Sequence, residues 1–198
     1  MLQMRDLGNV LFNLTKLQMT LLIDISVVCL PSGNILGPIA RTLSTAKNLL
    51  CLNLEAIGAV RDEEDSLGNF GVVLSGCIFK NLVSLKLEGF KCTVTELLRF
   101  TDGCSELEEF TLSTFQLATG TWADAINHRK ANLKRLTLVD LIRLAGSLGP
   151  DRESWSLEFE DCWVASLDEE CLLNLKGSIE DFLVGYGSNP FSLAELRR

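Results

Sequence analysis

The chain has 198 residues, of which 47% are hydrophobic and 22% are charged, and its formal net charge is −8. This composition is typical of a globular protein and not of a disordered chain. The excess of acid lies in residues 100–198, which hold nine basic and seventeen acidic residues, so nucleic acids and anionic membranes are excluded as expected partners because both attract basic surfaces.

A pattern of three apolar residues, which we call the phrase, recurs along the chain. The second apolar residue lies three positions after the first, and the third lies two positions after the second. In the clear copies the second residue is Leu17, Leu52, Leu85, Phe110 or Leu136. A further apolar residue lies three positions after the third, and these residues are Leu22, Ile57, Phe90, Phe115 and Leu141. Weaker copies are marked by Leu157 and Phe182. Most intervals between copies fall in the range of about 20–29 residues that is typical of leucine-rich repeats.

Between these phrases lie segments with helical spacing or helix-start signals. They cover residues 35–46, 67–77, 93–103, 120–130 and 166–175. Two of these segments open with a capping box, at Thr93 with Glu96 and at Ser166 with Glu169. Each phrase is expected to be a strand whose second and third apolar residues face one core. The alternation of strand and helix therefore predicts an α/β fold with a parallel sheet.

Right-handed crossovers would place every helix on the same side of this sheet. The predicted fold is a curved leucine-rich-repeat solenoid, with parallel strands on the concave face and helices on the convex face. It is predicted to form a single domain over residues 1–198, with about seven irregular repeats and ragged ends at residues 1–13 and 188–198.

The seven cysteines, at positions 29, 51, 77, 92, 104, 162 and 171, form no C-x-x-C pair. Because their number is odd and several fall at core positions, we expect free thiols in a reducing compartment. No secretion signal is visible, and the apolar stretch at residues 17–30 contains Asp24 and is too short to cross a bilayer. The sequence therefore predicts an intracellular protein, cytoplasmic or nuclear.

Outward strand positions would form a polar row that grows acidic toward the C-terminus. A broad concave sheet is the surface that repeat proteins use for binding, whereas an ordinary solvated face is the alternative interpretation. The residues predicted to bind a protein partner are Lys86, Glu88, Glu109, Thr111, Arg135, Thr137, Glu158, Glu160 and Asp181. The identity of that partner is not predicted, and the chain by itself is expected to be a monomer.

No pattern in the sequence indicates catalysis. The only histidine, His128, adjoins Arg129 and Lys130 at a predicted helix end, where a cation favours the helix dipole. It has no cysteine or histidine neighbours that could complete a zinc site. The carboxylate pairs lack the spacing of acid–base residues, and no glycine-rich phosphate loop is present. We therefore predict a non-enzymatic protein with no catalytic, cofactor-binding or metal-binding residues, and the three tryptophans, Trp122, Trp155 and Trp163, are expected to pack in the core.

Two segments resemble the cysteine-containing, ribonuclease-inhibitor-like form of the leucine-rich repeat: CSELEEFTL at residues 104–112 and AKNLLCLNL at residues 46–54. The run at residues 85–98, together with residues 120–122 and 189–191, resembles the repeat domains of fungal F-box-type proteins. That resemblance implies substrate recognition for an SCF-type ubiquitin ligase, with a separate N-terminal F-box that recruits the ligase. Leu30 and Pro31 imitate the start of an F-box, but the repeat phrase returns at Leu49, so no F-box is expected here.

Two other functions are compatible with the same repeats. One is a regulator of a partner enzyme, such as the leucine-rich GTPase-activating proteins, which would need a projecting polar residue in an early repeat. Arg61, in the acidic run at residues 61–65, is a poor candidate for that role. The other is a fragment with no independent function. An F-box upstream in a longer gene product would favour the ligase role.

Overall fold

The computed structural model describes residues 12–23, 36–58, 67–74, 76–133, 135–147 and 169–190. Strands and helices alternate along these residues, which confirms the predicted α/β class. The elements in chain order are β1 (Lys16–Ile23), α1 (Leu36–Leu43), β2 (Cys51–Gly58), β3 (Gly68–Asn69), α2 (Phe70–Leu74), β4 (Ser84–Thr93), α3 (Val94–Asp102), β5 (Glu109–Thr121), α4 (Trp122–Asn132), β6 (Leu138–Ser147) and α5 (Glu169–Val184).

The strands form one parallel sheet in the order β1-β2-β4-β5-β6, and the short β3 pairs with β4 beside this path. Its register brings the second residue of each phrase into line, because Leu17 pairs with Leu52, Leu52 with Leu85, and Leu85 with Phe110. The parallel strands predicted at these four positions are confirmed.

The helix starts follow the predicted capping signals where the structure describes them. Thr93 precedes α3, where its hydroxyl accepts a hydrogen bond from the backbone N–H of Glu96, and the Glu96 carboxylate accepts one from the backbone N–H of Thr93. The predicted helix at residues 67–77 is shorter than expected, since its helical part among the described residues is Phe70–Leu74. Gly76, with φ of 76°, follows it in a conformation that does not continue a helix.

The phrase in β6 lies three residues later than predicted. Phe110 pairs with Val139 and Leu112 with Leu141, so the inward residues are Val139 and Leu141. Leu138, predicted to face the core, is 53% exposed. The run from Leu133 to Leu144 contains apolar residues that satisfy two frames, and pairing with β5 selects the second. Leu136 is buried, but it precedes the strand and is not its centre.

The predicted strand around Phe182 is wrong, because this residue lies in α5. Ile179 and Leu183 are buried, and their separation by four positions matches one face of a helix. Leu183 was expected on the outward face and instead joins the core. The strand predicted near Leu157 and the capping box that begins at Ser166 lie outside the described residues.

One apolar core fills the space between the sheet and its helices. It combines inward strand residues with helix residues such as Phe70, Phe100 and Trp122. The Phe70 ring centroid lies 5.3 Å from that of Phe100 and 6.1 Å from that of Phe115, and both pairs pack edge to face. Trp122 therefore packs in the core as predicted, whereas the other two tryptophans lie outside the described residues.

The residues that follow the phrases divide into two groups. Phe90 and Phe115 are buried, but Leu22 is 83% exposed and Ile57 is 42% exposed. In β4 and β5 a residue with positive φ precedes the phenylalanine, namely Gly89 at 75° and Thr114 at 47°. Such a residue interrupts the alternation and turns the phenylalanine inward. In β1 and β2 the alternation is unbroken, so Leu22 and Ile57 face outward.

Candidate functional site

The outward side chains of the sheet form a broad face, which we call the open face. Residues on neighbouring strands are aligned by the register in three rows across the sheet. The central row consists of Gln18, Asn53, Lys86, Thr111 and Asp140. The flanking rows are Lys16, Cys51, Ser84, Glu109 and Leu138 on one side and Thr20, Glu55, Glu88, Ser113 and Ile142 on the other. The core helices pack against the opposite face.

Four of the predicted binding residues lie close together on this face. Lys86 and Glu88 are on β4, and Glu109 and Thr111 are on the adjacent β5. Lys86 pairs in register with Thr111, and the Lys86 ammonium lies 3.0 Å from the Glu88 carboxylate. Exposed ion pairs of this kind contribute only about 0–1 kcal/mol to stability. A partner can therefore replace this contact at little energetic cost.

Arg135 and Thr137 do not lie on the strand where they were predicted. Both precede β6, where Arg135 forms an ion pair with Glu106 and the Thr137 hydroxyl donates a hydrogen bond to the Glu108 carbonyl. The corrected frame puts Asp140 beside Thr111, and this residue was missed because Leu136 was taken as the strand centre. The Asp140 carboxylate lies 3.9 Å from the ammonium of Lys176 on α5.

The acidic C-terminal part of the predicted site is not assembled as a strand row. Asp181 is exposed but belongs to α5, so its position follows helix packing and not the strand register. Glu158 and Glu160 lie outside the described residues. Of the predicted acidic group, Glu109 is therefore the member that the structure describes on a strand.

His128 and Arg129 connect α4 to the end of α3. The His128 Nε2 lies 2.9 Å from the Asp102 carboxylate, so this carboxylate partner adds to the helix-end role predicted for the histidine. Arg129 is only 2% exposed, and its Nη2 donates a hydrogen bond to the Leu98 carbonyl. Burial lowers the Arg129 pKa to about 10, against the opposing effects of Asp102 and Cys104.

The buried arginine was missed because its neighbours along the chain indicate an exposed helix end. Its Nε and Nη1 have no hydrogen-bond partner in the described part of the chain. An arginine is rarely buried without full pairing, because its desolvation costs free energy. Through its hydrogen bond to Leu98, this arginine holds the last turn of α3 against α4. This contact lies on the helix side of the sheet, away from the open face.

The described cysteines are expected to differ sharply in reactivity. Cys51, Cys77, Cys92 and Cys104 are all free thiols, and the last three are buried. Burial raises the pKa of Cys77 to about 11 and those of Cys92 and Cys104 to about 12. Because the thiolate is the reactive form, brief alkylation of the native protein at mildly alkaline pH should label Cys51 and leave these three unlabelled.

Peptide mass spectrometry measures this difference, and guanidinium-unfolded protein, in which every cysteine should react, is the control. Equal labelling of Cys77 and Cys104 in native and unfolded protein would contradict the buried placement.

Since the native thiols keep their protons at a pH where unfolded thiols ionise, these groups should also make the free energy of unfolding fall as pH rises above about 8.5.

Glu180 joins α5 to the outer edge of β6. Its carboxylate accepts a hydrogen bond of 3.0 Å from the Leu141 backbone N–H and lies 3.8 Å from the Lys176 ammonium. Burial raises the Glu180 pKa, and the Leu141 N–H and Lys176 oppose this shift, whereas the nearby Asp140 and Asp181 add to it. The native carboxyl group therefore retains its proton to a higher pH than the same group in the unfolded chain.

Replacement of Glu180 by glutamine should change how stability depends on pH. A raised native pKa means that the wild-type carboxyl contributes most below its unfolded pKa of about 4.3 and loses that contribution as pH rises through the native value. Glutamine keeps an acceptor for Leu141 but does not ionise. Glu180→Gln should therefore gain stability relative to wild type as pH rises above about 4.3, as measured by urea unfolding.

The matched control for this experiment is Glu180→Ala. It removes the acceptor as well as the charge, so it should be less stable than the glutamine variant across the whole range, by about 1 kcal/mol. A constant difference between wild type and Glu180→Gln at all pH values would show that the carboxyl does not titrate differently in the folded and unfolded chains.

The described residues show neither an arrangement for a metal ion nor a membrane-spanning helix. Among the described residues, no group of three or more histidine, cysteine, aspartate and glutamate side chains is arranged to hold a metal ion. Within the same ranges, none of the helices has the length and apolarity needed to span a membrane.

A scan against family models, a search of curated proteins and a search of solved structures found no match to this chain.

Proposed function

We propose that this chain is a leucine-rich-repeat domain that binds a protein partner through its open face and catalyses no reaction. The observation that carries the proposal is the register of the sheet. It aligns polar side chains on successive strands, from Gln18 through Lys86 to Asp140, on the face opposite the helices. Parallel strands lie about 4.8 Å apart, so these rows form a wide surface with regularly spaced side chains.

The chemistry of this face suits recognition. Its charged groups are half-buried or exposed and weakly paired, as in the Lys86–Glu88 contact, and a partner can exchange these contacts for its own. The charges are of both signs, because Lys16 and Lys86 share this face with the acidic Glu55, Glu88 and Glu109. A partner with the complementary charge pattern would be steered to this face, and its association rate would fall as salt increases.

The resemblance to the repeat domains of fungal F-box-type proteins supports a more specific proposal. In this proposal the domain is intracellular, and the bound protein is a substrate that a ubiquitin ligase marks for degradation. Depletion of the chain from its source cell should then raise the abundance of the protein that the open face binds. A bound protein whose abundance does not change would oppose the ligase role and leave binding itself in place. Arg61, the candidate for a GTPase-activating role, lies outside the described residues.

Site-directed photo-crosslinking tests the binding proposal. A photoreactive amino acid at Thr111 on the open face should capture a partner, whereas the same group at Ile78, an exposed residue outside that face, should not. The substitution Lys86→Glu in the Thr111 probe should reduce capture and change its salt dependence. Equal capture from the Ile78 position, or capture insensitive to Lys86→Glu, would show that the open face is not the binding surface.

A further inference from the structure

An apolar pair stands out on the open face at the ends of β1 and β2. Leu22 and Ile57 are partners in the register and therefore neighbours across the two strands. Leu22 is 83% exposed and Ile57 is 42% exposed. Two large aliphatic side chains placed side by side in solvent are not required by the fold, because Leu21 and Ala56 supply the buried positions of the same strands. Contiguous exposed apolar surface marks interaction sites, whereas apolar residues scattered singly do not.

A carboxylate that has no basic partner in the described part of the chain lies beside this pair. Glu55 faces outward two positions before Ile57 on β2, and its carboxylate accepts a hydrogen bond of 2.9 Å from the Thr20 hydroxyl. No lysine or arginine among the described residues forms an ion pair with it. By contrast, Glu88, its register partner on β4, is paired with Lys86. A negative charge oriented by Thr20 thus remains available next to exposed apolar surface.

The strand β4 closes the patch on one side. After Glu88 the backbone turns at Gly89, and the next residue, Phe90, enters the core. Within the described part of the sheet, this apolar surface is therefore confined to β1 and β2. A stable dimer interface usually buries about 800 Å² on each partner, far more than two aliphatic side chains present. The size of the patch fits a short segment of another protein better than a second copy of this chain.

We propose that Leu22, Ile57 and Glu55 form a docking site for a protein segment that carries an aliphatic side chain close to a lysine or arginine. This inference rests on the proposed function and specifies the partner for one part of the open face. The aliphatic side chain of the segment covers Leu22 and Ile57, which removes apolar surface from water. The cation pairs with the Glu55 carboxylate, and its methylene stem extends the apolar contact.

Peptide selection with matched variants tests the inference. A random peptide library displayed on phage is panned on the wild-type chain alone, with no selection for or against any variant, and the double variant Leu22→Ser/Ile57→Ser is kept for the affinity measurements. The selected peptides are synthesised with a fluorescent label, and their affinities are measured by anisotropy at low and high salt. The matched control is Ile78→Ser, which removes an exposed aliphatic side chain from a position outside the open face.

The expected peptides share an aliphatic residue within a few positions of a lysine or arginine. Their affinity should fall at least about tenfold with Leu22→Ser/Ile57→Ser, because two apolar contacts dominate a small interface. It should fall a few-fold with Glu55→Gln, with a weaker salt dependence, and Glu55→Lys should favour acidic peptides instead. Ile78→Ser should leave the affinity unchanged. Thermal unfolding of each variant checks that the chain remains folded.

Three other outcomes would overturn the inference. If binding depends on Lys86→Glu but not on the Leu22 and Ile57 substitutions, the docking site is wrong and the proposed function stands. If the selection yields no peptide, or only peptides insensitive to every open-face variant, both proposals fail. If wild-type protein dimerises in analytical ultracentrifugation and Leu22→Ser/Ile57→Ser does not, a second copy of the chain covers the patch.

Discussion

Replacement of Leu85 by alanine should lower the free energy of unfolding by about 2–5 kcal/mol, the range measured for buried leucines elsewhere. Leu85 is 1% exposed and lies on β4, between Leu52 of β2 and Phe110 of β5. Strands and helices surround the position, so the cavity left by the smaller side chain has little room to collapse. Urea unfolding followed by circular dichroism measures the loss.

Leu138→Ala is the control for this experiment, because it deletes the same atoms from a residue that is 53% exposed. A surface substitution of this kind should change the free energy of unfolding by no more than about 0.5 kcal/mol. Leu136→Ala should resemble Leu85→Ala, since Leu136 is buried although it precedes the strand. Equal losses at Leu85 and Leu138 would mean that the frame of β6 is misplaced.

Gly89→Ala is expected to be the other strongly destabilising substitution, with a loss of about 2–5 kcal/mol from two independent causes. Gly89 has φ of 75°, a conformation in which a side chain costs about 1–2 kcal/mol. In addition, a Cβ at this position would overlap the backbone carbonyl oxygen of Ala56 on β2. A backbone group does not rotate away, so relief would require the two strands to separate.

Gly76→Ala separates these two causes. Gly76 has nearly the same φ, 76°, but a Cβ there would meet no atom within 4 Å. It should therefore lose only the conformational part, about 1–2 kcal/mol. Chemical denaturation of both variants gives the comparison. Similar losses at the two glycines would show that β2 and β4 approach each other less closely at Gly89 than the structure indicates.

Much of the sheet could be predicted from the apolar phrase, because a strand buried on one face repeats every two residues. The phrase identified β1, β2, β4 and β5 correctly. It failed in β6, where Leu136, Leu138, Val139 and Leu141 satisfy two frames and only pairing with β5 distinguishes them. It also failed in α5, because apolar residues three positions apart suit a helix as well as the start of a phrase.

The candidate site, like the sheet, could be predicted only in part from the sequence. Lys86 and Thr111 were assigned to the open face by simple alternation, which holds in the first half of each strand. The exposed pair Leu22 and Ile57 was not assigned to this face. Both side chains face outward because β1 and β2 lack the positive-φ residue that Gly89 provides in β4 and Thr114 provides in β5. Thr114 shows the difficulty, since a β-branched residue is not expected in that conformation. The burial of Arg129 likewise arises from the packing of two helices that are distant in the sequence.

The hydrogen bond between Glu180 and the Leu141 backbone N–H has a consequence for how large this architecture can grow. A repeat array lengthens when a new strand pairs with the last one through its unused backbone donors. Here a helix side chain occupies one such donor on β6, so a further strand cannot use that donor while the contact persists. Among the described elements, the helix thus blocks one position on this edge of β6, which discourages edge-to-edge polymerisation between molecules there.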